Sequence, residues 1–223
     1  MKALSVFVVL VACLFLLVSL STAQSNPVKQ ERLVFENEYV RAYEVTLKPG
    51  EKPASHSSNE RIIYSLTDYS LKYNWEGKSS VEKRKAGDVH YHPAGSHCEE
   101  PAGTSTARFI MVERLAKPLP PHEGTGIDMA KANPHNTKVL FDRDVAKVFE
   151  TTVYPKDAVS MHFGLDRLIY AASGAEMLVT TPDGKKTKET QKKGTYHWHG
   201  AGLHAVENVG SAPFKFIVFA FKR

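Results

Sequence analysis

The sequence predicts an all-β protein built from two homologous modules in tandem, and three observations predict it. The chain is written twice: LVFENEYVRAYEVTLKPGEKPASHSSNERIIY (33–64) aligns without a gap on VLFDRDVAKVFETTVYPKDAVSMHFGLDRLIY (139–170) at an offset of 106. After one inserted residue the match continues at 107, where GDVHYHPAGSH (87–97) meets GTYHWHGAGLH (194–204). Within each copy, short stretches such as RAYEVTL, SLKYNWEG, RFIMVERL and FKFIVFAFK alternate or run apolar over strand lengths and are rich in Val, Ile, Tyr and Phe. Beyond the N-terminal leader, no stretch keeps a 3.6-residue apolar period. Short strands separated by turns imply a sandwich or a small barrel, which can enclose a ligand or a metal.

The elements follow in order. In MKALSVFVVLVACLFLLVSLSTAQS, Lys2 precedes an apolar run from Ala3 to about Leu20, then small residues Ser21, Thr22 and Ala23. That is the pattern of a secretory signal peptide over 1–24, and it predicts a periplasmic or secreted protein. An uncleaved anchor, or a lipid on Cys13 after Leu10-Val11-Ala12, are the two rival readings and the only ones that bring in a membrane. Module one is expected at 30–116. The segment KPLPPHEGTGIDMAKANPHNT (117–137), rich in Pro, Gly and polar residues, reads as a linker, and module two follows at 138–223. Turns are marked by Pro49-Gly50, Glu76-Gly77 and Pro182-Asp183-Gly184.

Composition removes some classes. Beyond the leader Cys98 is the only cysteine, so no disulfide framework holds the fold together and the core must do so by burial. The excess of 29 Lys+Arg over 24 Asp+Glu is modest and forms no stripe with aromatics, which argues against nucleic acid. The expected partner is a small molecule, with homo-oligomerisation left open.

The ten histidines carry the chemistry. Eight fall in matched pairs, 56/162, 90/197, 92/199 and 97/204, while His122 and His135 lie in the linker. Gly87…Pro93-Ala94-Gly95-Ser96-His97 and Gly194…Gly200-Ala201-Gly202-Leu203-His204…Asn208 resemble the second motif of the cupins, proteins of the double-stranded β-helix (jelly-roll) barrel. The resemblance spans nearly the whole chain after the leader and implies a bicupin. The tail His204-Ala205-Val206-Glu207-Asn208-Val209-Gly210 is similar to small cupins grouped with β-alanine-degradation proteins.

The resemblance also implies a divalent metal (Fe, Mn, Zn, Ni or Cu) on His56 and His97 in one cup, and on His162 and His204 in the other. The usual first motif is incomplete. Its second histidine falls on Ser58 and on Gly164, and its acidic place is approximated by Glu60 or Asp166, or taken by Arg61 or Arg167. These four are read as candidate ligand-binding residues, the arginines either as anchors for an anion or as structural ion pairs. In a strand, i and i+2 share a face, so His90 pairs with His92 and His197 with His199. If those faces point inward, they add ligands; if outward, they are surface. Two functions stay open: a metal-dependent enzyme performing oxygenation, isomerisation or hydrolysis, and a non-enzymatic bicupin that binds a small ligand or whose metal sites have decayed.

Overall fold

The computed structural model describes residues 30–122 and 124–223, and the predicted leader at 1–24 lies outside the described residues. Module one runs β1 (Gln30–Glu36), β2 (Val40–Leu47), β3 (His56–Ser58), β4 (Arg61–Ser65), β5 (Tyr69–Trp75), β6 (Lys78–Arg84), β7 (Val89–His92), β8 (Gly95–Pro101) and β9 (Ala107–Arg114). Its strands form two antiparallel sheets, ordered β1-β2-β9-β4-β7 and β3-β8-β5-β6. Module two runs β10 (Thr137–Asp142), β11 (Ala146–Val153), β12 (Ala158–Gly164), β13 (Arg167–Ala171), β14 (Ala175–Thr180), β15 (Lys186–Gln191), β16 (Tyr196–His199), β17 (Gly202–Asn208) and β18 (Phe214–Phe221). The sheet orders repeat as β10-β11-β18-β13-β16 and β12-β17-β14-β15. The written duplication is therefore a duplication of topology, and each module is a two-sheet jelly-roll barrel. Even a bulge recurs, between Leu33 and Phe35 in β1 and between Val139 and Phe141 in β10.

The near-continuous apolar runs of β4, β9 and β18 have a physical cause: both faces of these strands are buried. One face lines a barrel. In module one it contributes Val45, Leu47, Ile63, Phe109 and Met111, and in module two Phe149, Val153, Phe216 and Val218. The opposite face forms a shared core between the barrels, where Ala42, Ile62, Ile110 and Val112 meet Val148, Leu168, Ile217 and Phe219. Polar ties cross the same seam. Tyr196 donates to Glu44 Oε1 at 3.1 Å, Arg114 donates to the Lys222 carbonyl at 2.8 Å, and Tyr39 stacks on Trp198 at 5.8 Å.

This seam orients the histidines. Val89 and Tyr91 of β7, and Tyr196 and Trp198 of β16, pack into the inter-barrel core. Strand alternation then turns His90, His92, His197 and His199 into the barrels.

The connecting segment is more ordered than its composition suggests. Leu119 is buried in the inter-barrel core. The Ile127 carbonyl accepts from the Phe163 amide at 2.8 Å. A short helix, α1 (Met129–Ala132), packs against β12. Asp128 caps that helix by accepting from the Lys131 amide, so the polar residues that signalled a linker are partly cap chemistry. Thr137, read as the last linker residue, already pairs in β10.

Candidate sites in the two cups

In cup 1, β3 and β8 pair so that His56 stands opposite His97, with ring centroids 4.4 Å apart. Alternation along β8 puts Glu99 on the same face as His97. His97 Nε2 lies 3.0 Å from Glu99 Oε1, and His56 Nε2 lies 4.0 Å from Glu99 Oε2. Ligand atoms of the three residues fall within 4.8 Å of one another.

Arg61, only 1% exposed, enters this group from β4. Its Nη1 donates to Ser58 Oγ at 2.5 Å and to the Pro93 carbonyl at 3.4 Å. Its Nη2 donates to Tyr73 at 3.1 Å and reaches His97 Nε2 at 2.7 Å. The last contact creates a conflict. Guanidinium can only donate, so beside Arg61 the His97 Nε2 must accept, and its lone pair then faces the Glu99 carboxylate. If Nε2 instead carries the proton, it satisfies Glu99 and opposes Arg61. No tautomer serves both neighbours.

A second group lies in the same barrel. Glu82 of β6 joins His90 and His92 of β7, again with ligand atoms within 4.8 Å. Tyr73 contacts both groups, its ring 4.6 Å from His92 and 5.3 Å from His97. Burial pushes His90 down to about 2 and His92 down to about 3, so both imidazoles are neutral at physiological pH. His90 Nδ1 is buried without a partner. Glu82 is already paired with Arg84.

Cup 2 repeats the frame and changes the chemistry. His162 stands opposite His204, ring centroids 4.2 Å apart. His162 Nδ1 donates to the Ser160 carbonyl at 2.9 Å, which leaves Nε2 bare; that atom is buried and has no partner. Arg167, 5% exposed, donates through Nη1 to the carbonyls of Leu165 at 3.0 Å and Gly200 at 3.1 Å, and through Nη2 to His204 Nε2 at 3.1 Å. A Cβ on Gly164 would sit 2.4 Å from Arg167 Nη1. The guanidinium therefore occupies the space that a side chain at the second-histidine position would need. Burial lowers Arg167 to about 10, which leaves it charged at neutral pH. Burial, and then Arg167, push His204 down to about 3 and His199 to about 4.

The strand register shows what differs between the cups. Tyr73 pairs with Glu99 in module one, and Val179 pairs with Val206 in module two. At the offset of 107, Glu82 becomes Glu189 and Arg84 becomes Gln191. The carboxylate and the phenol of cup 1 are thus two valines in cup 2. A cavity of about 210 Å³ opens there, with Arg167, His199 and His204 in its wall.

All eight paired histidines occupy strands that line the cups, and Arg61 and Arg167 join them. They do not gather as four imidazoles around one point. In cup 1 they divide into His56/His97 and His90/His92, each with its own carboxylate. Glu60 and Asp166 are not brought in: Glu60 accepts from Tyr91 at 3.0 Å, and Asp166 accepts from the Ala201 amide at 3.2 Å. The carboxylates at hand are Glu99 and Glu82, which reading the first motif could not find. The available signal was His97-Cys98-Glu99, two residues apart on one strand face. Trp198 and Tyr91 pack between the barrels and line neither cup.

No protein-family model and no curated protein sequence matches the chain. Among solved structures it is similar to oxalate decarboxylase from Bacillus subtilis, with a TM-score of 0.63 and 17% identity over 87% of this chain and 72% of that one. Another structure of that enzyme, described with Mn(II) centres, aligns at a TM-score of 0.57 and 17% identity over 87% and 75% of the two chains. AerE from Microcystis aeruginosa aligns at 0.59 and 13% identity over 88% of this chain and 98% of its own. A cupin domain from Bordetella pertussis also aligns, over 39% of this chain and 92% of that one, at 22% identity and a TM-score of 0.37. The chain has the fold of two tandem cupin barrels.

Proposed function

We propose that this bicupin is a divalent-metal protein whose metal sits in cup 1, held by His56, His97 and Glu99. The observation that carries the reading is the conflict at His97 Nε2, which has a donor-only group at 2.7 Å and a carboxylate oxygen at 3.0 Å. A divalent cation takes the imidazole lone pair and the carboxylate oxygen together, which no proton placement does. Two imidazoles and one carboxylate suit Mn, Fe, Zn, Ni or Cu. The Mn(II) centres described for the oxalate decarboxylase relative in fold favour trying Mn first.

When bound, such an ion supplies Lewis acidity and open coordination positions for a small molecule. The chain's own residues do the rest. Gly95 O, 3.4 Å from His97 Nδ1, fixes the ring so that Nε2 faces the group. Arg61, buried and bonded to Ser58, the Pro93 carbonyl, Tyr73 and His97, braces the group from β4. The likeness of the 204–210 tail to β-alanine-degradation-type cupins and the leader at 1–24 support a small exported protein of this class.

Cup 2 does not fit a metal. His162 and His204 face each other, but Val206 stands where cup 1 has Glu99, and among the described residues no carboxylate joins the imidazoles in a ligand group. The alternative of a decayed metal site describes this cup and not the other.

Metal analysis of the chain after loading with Mn, Fe, Zn and Ni tests the reading. One equivalent is expected, lost in His97→Ala and Glu99→Gln and retained in His204→Ala. Absence of stoichiometric metal, or its retention in both cup 1 variants, refutes it. Loss in His90→Ala alone would move the ion to the Glu82 group.

A further inference from the structure

We infer that the cup 2 cavity binds a small monocarboxylate with an apolar body, its carboxylate held by Arg167. The inference is independent of a metal in cup 1.

Charge is the first observation. Arg167 is buried, yet among the described residues no carboxylate lies within ion-pair distance of its guanidinium. Asp166 is turned to the Ala201 amide and acts on Arg167 only from beyond ion-pair distance. Asp128 and Asp142, on the cavity that adjoins from the other side, are taken by Lys147 and Lys222 at 2.6 Å each. A buried cation with no counter-charge in contact is costly, and the cost is relieved by a ligand that brings an anion. Arg61 of cup 1 has its carboxylate, Glu99 Oε1 at 3.9 Å.

Donor count is the second. Guanidinium has five N–H donors. Arg167 uses three, on the Leu165 and Gly200 carbonyls and on His204. Nε–H and one Nη2 hydrogen remain, which is what a carboxylate needs for a two-point contact. In cup 1 the four Nη hydrogens of Arg61 face four partners: Ser58, Pro93, Tyr73 and His97.

The wall is the third. Replacing Tyr73 and Glu99 of cup 1 by Val179 and Val206 makes it largely aliphatic, with Ile169, Met177 and Phe216 beside them. About 210 Å³ is the volume of roughly seven waters, room for an acid of about six carbons. Two polar groups qualify the far wall. Gln191 Oε1 is buried without a partner and accepts a ligand hydroxyl or amine. Glu189 also lines the cavity and repels a second carboxylate, so a dicarboxylate of the same length is disfavoured.

The test is calorimetric titration of the chelated full chain with hexanoate, hexanamide and adipate, alongside methyl NMR of Ile169 and Met177. Hexanoate is expected to bind at least tenfold more tightly than the other two and to shift those methyl signals. R167M should weaken it at least tenfold. As a control for misfolding of R167M, Val179→Phe, which keeps the arginine and fills the cavity, should abolish binding in a protein with native circular dichroism. Equal affinity for hexanamide, unchanged binding in a folded R167M or V179F, or no binding of hexanoate at all overturns the inference. None of these results bears on metal content, which is measured separately.

Discussion

Acid should destabilise this protein through cup 2, and the size of the effect follows from two side chains. His204 and His199 are held at about 3 and about 4, chiefly by burial and then by Arg167. In the unfolded chain both return to about 6.5. Because the folded values are depressed, the neutral rings are favoured in the native state. Their contribution is fully present above pH 6.5 and is lost as pH falls toward 4, where the unfolded chain takes up protons that the folded one refuses. Each histidine contributes a slope of about 1.4 kcal/mol per pH unit in that window. At pH 5 the two together remove about 4 kcal/mol, a large share of a typical stability of 5–15 kcal/mol.

The other charged groups acting on them are Arg167, His162 and His197, which reinforce the depression, with Glu189 acting on His197 in the opposite sense. Denaturant unfolding of chelated protein at pH 7.5, 6.5, 5.5 and 5.0 reads the slope. His204→Gln and His199→Gln should each flatten it by about one proton. His90 and His92 of cup 1 titrate in the same direction but cancel in the comparison. Stability that is flat from pH 7 to 5, or a slope unchanged in both variants, would refute the reasoning.

Other expectations follow from single contacts. Lys156 holds φ +68°, where its repeat partner Gly50 holds +84°, so Lys156→Gly should raise stability by about 0.5–1 kcal/mol after the entropy cost of glycine, seen as a rise in Tm. Leu168→Ala empties a fully buried place in the shared core and should cost about 2–5 kcal/mol, with both barrels unfolding in one calorimetric transition; two separate transitions would contradict a shared core. Gly164→Ala should push Arg167 off the Leu165 and Gly200 carbonyls at a cost of about 2 kcal/mol, measured by denaturant unfolding. Tyr196→Phe should lose the Glu44 bond across the seam for about 1 kcal/mol, read the same way.

The duplication, the all-β class and which histidines share a face were all legible along the chain. Those properties are local: strand period, turn residues and repeated spacing are all written along the chain. Period two says that His90 and His92 point together but not where, because a strand has two equivalent faces until something covers one. Only the second barrel, by burying Val89, Tyr91, Tyr196 and Trp198, sent the histidines inward. The carboxylates were also a tertiary matter. Glu99 meets His56 through the β3–β8 pairing, while the nearer acids Glu60 and Asp166 are drawn to Tyr91 and to the Ala201 amide. The arginines had the sharpest consequence. Arg61 and Arg167 look alike in the repeat, but Tyr73 and Glu99 surround one and Val179 and Val206 the other. Cross-strand pairing makes one cup a polar donor cluster and the other an apolar cavity with an unpaired cation.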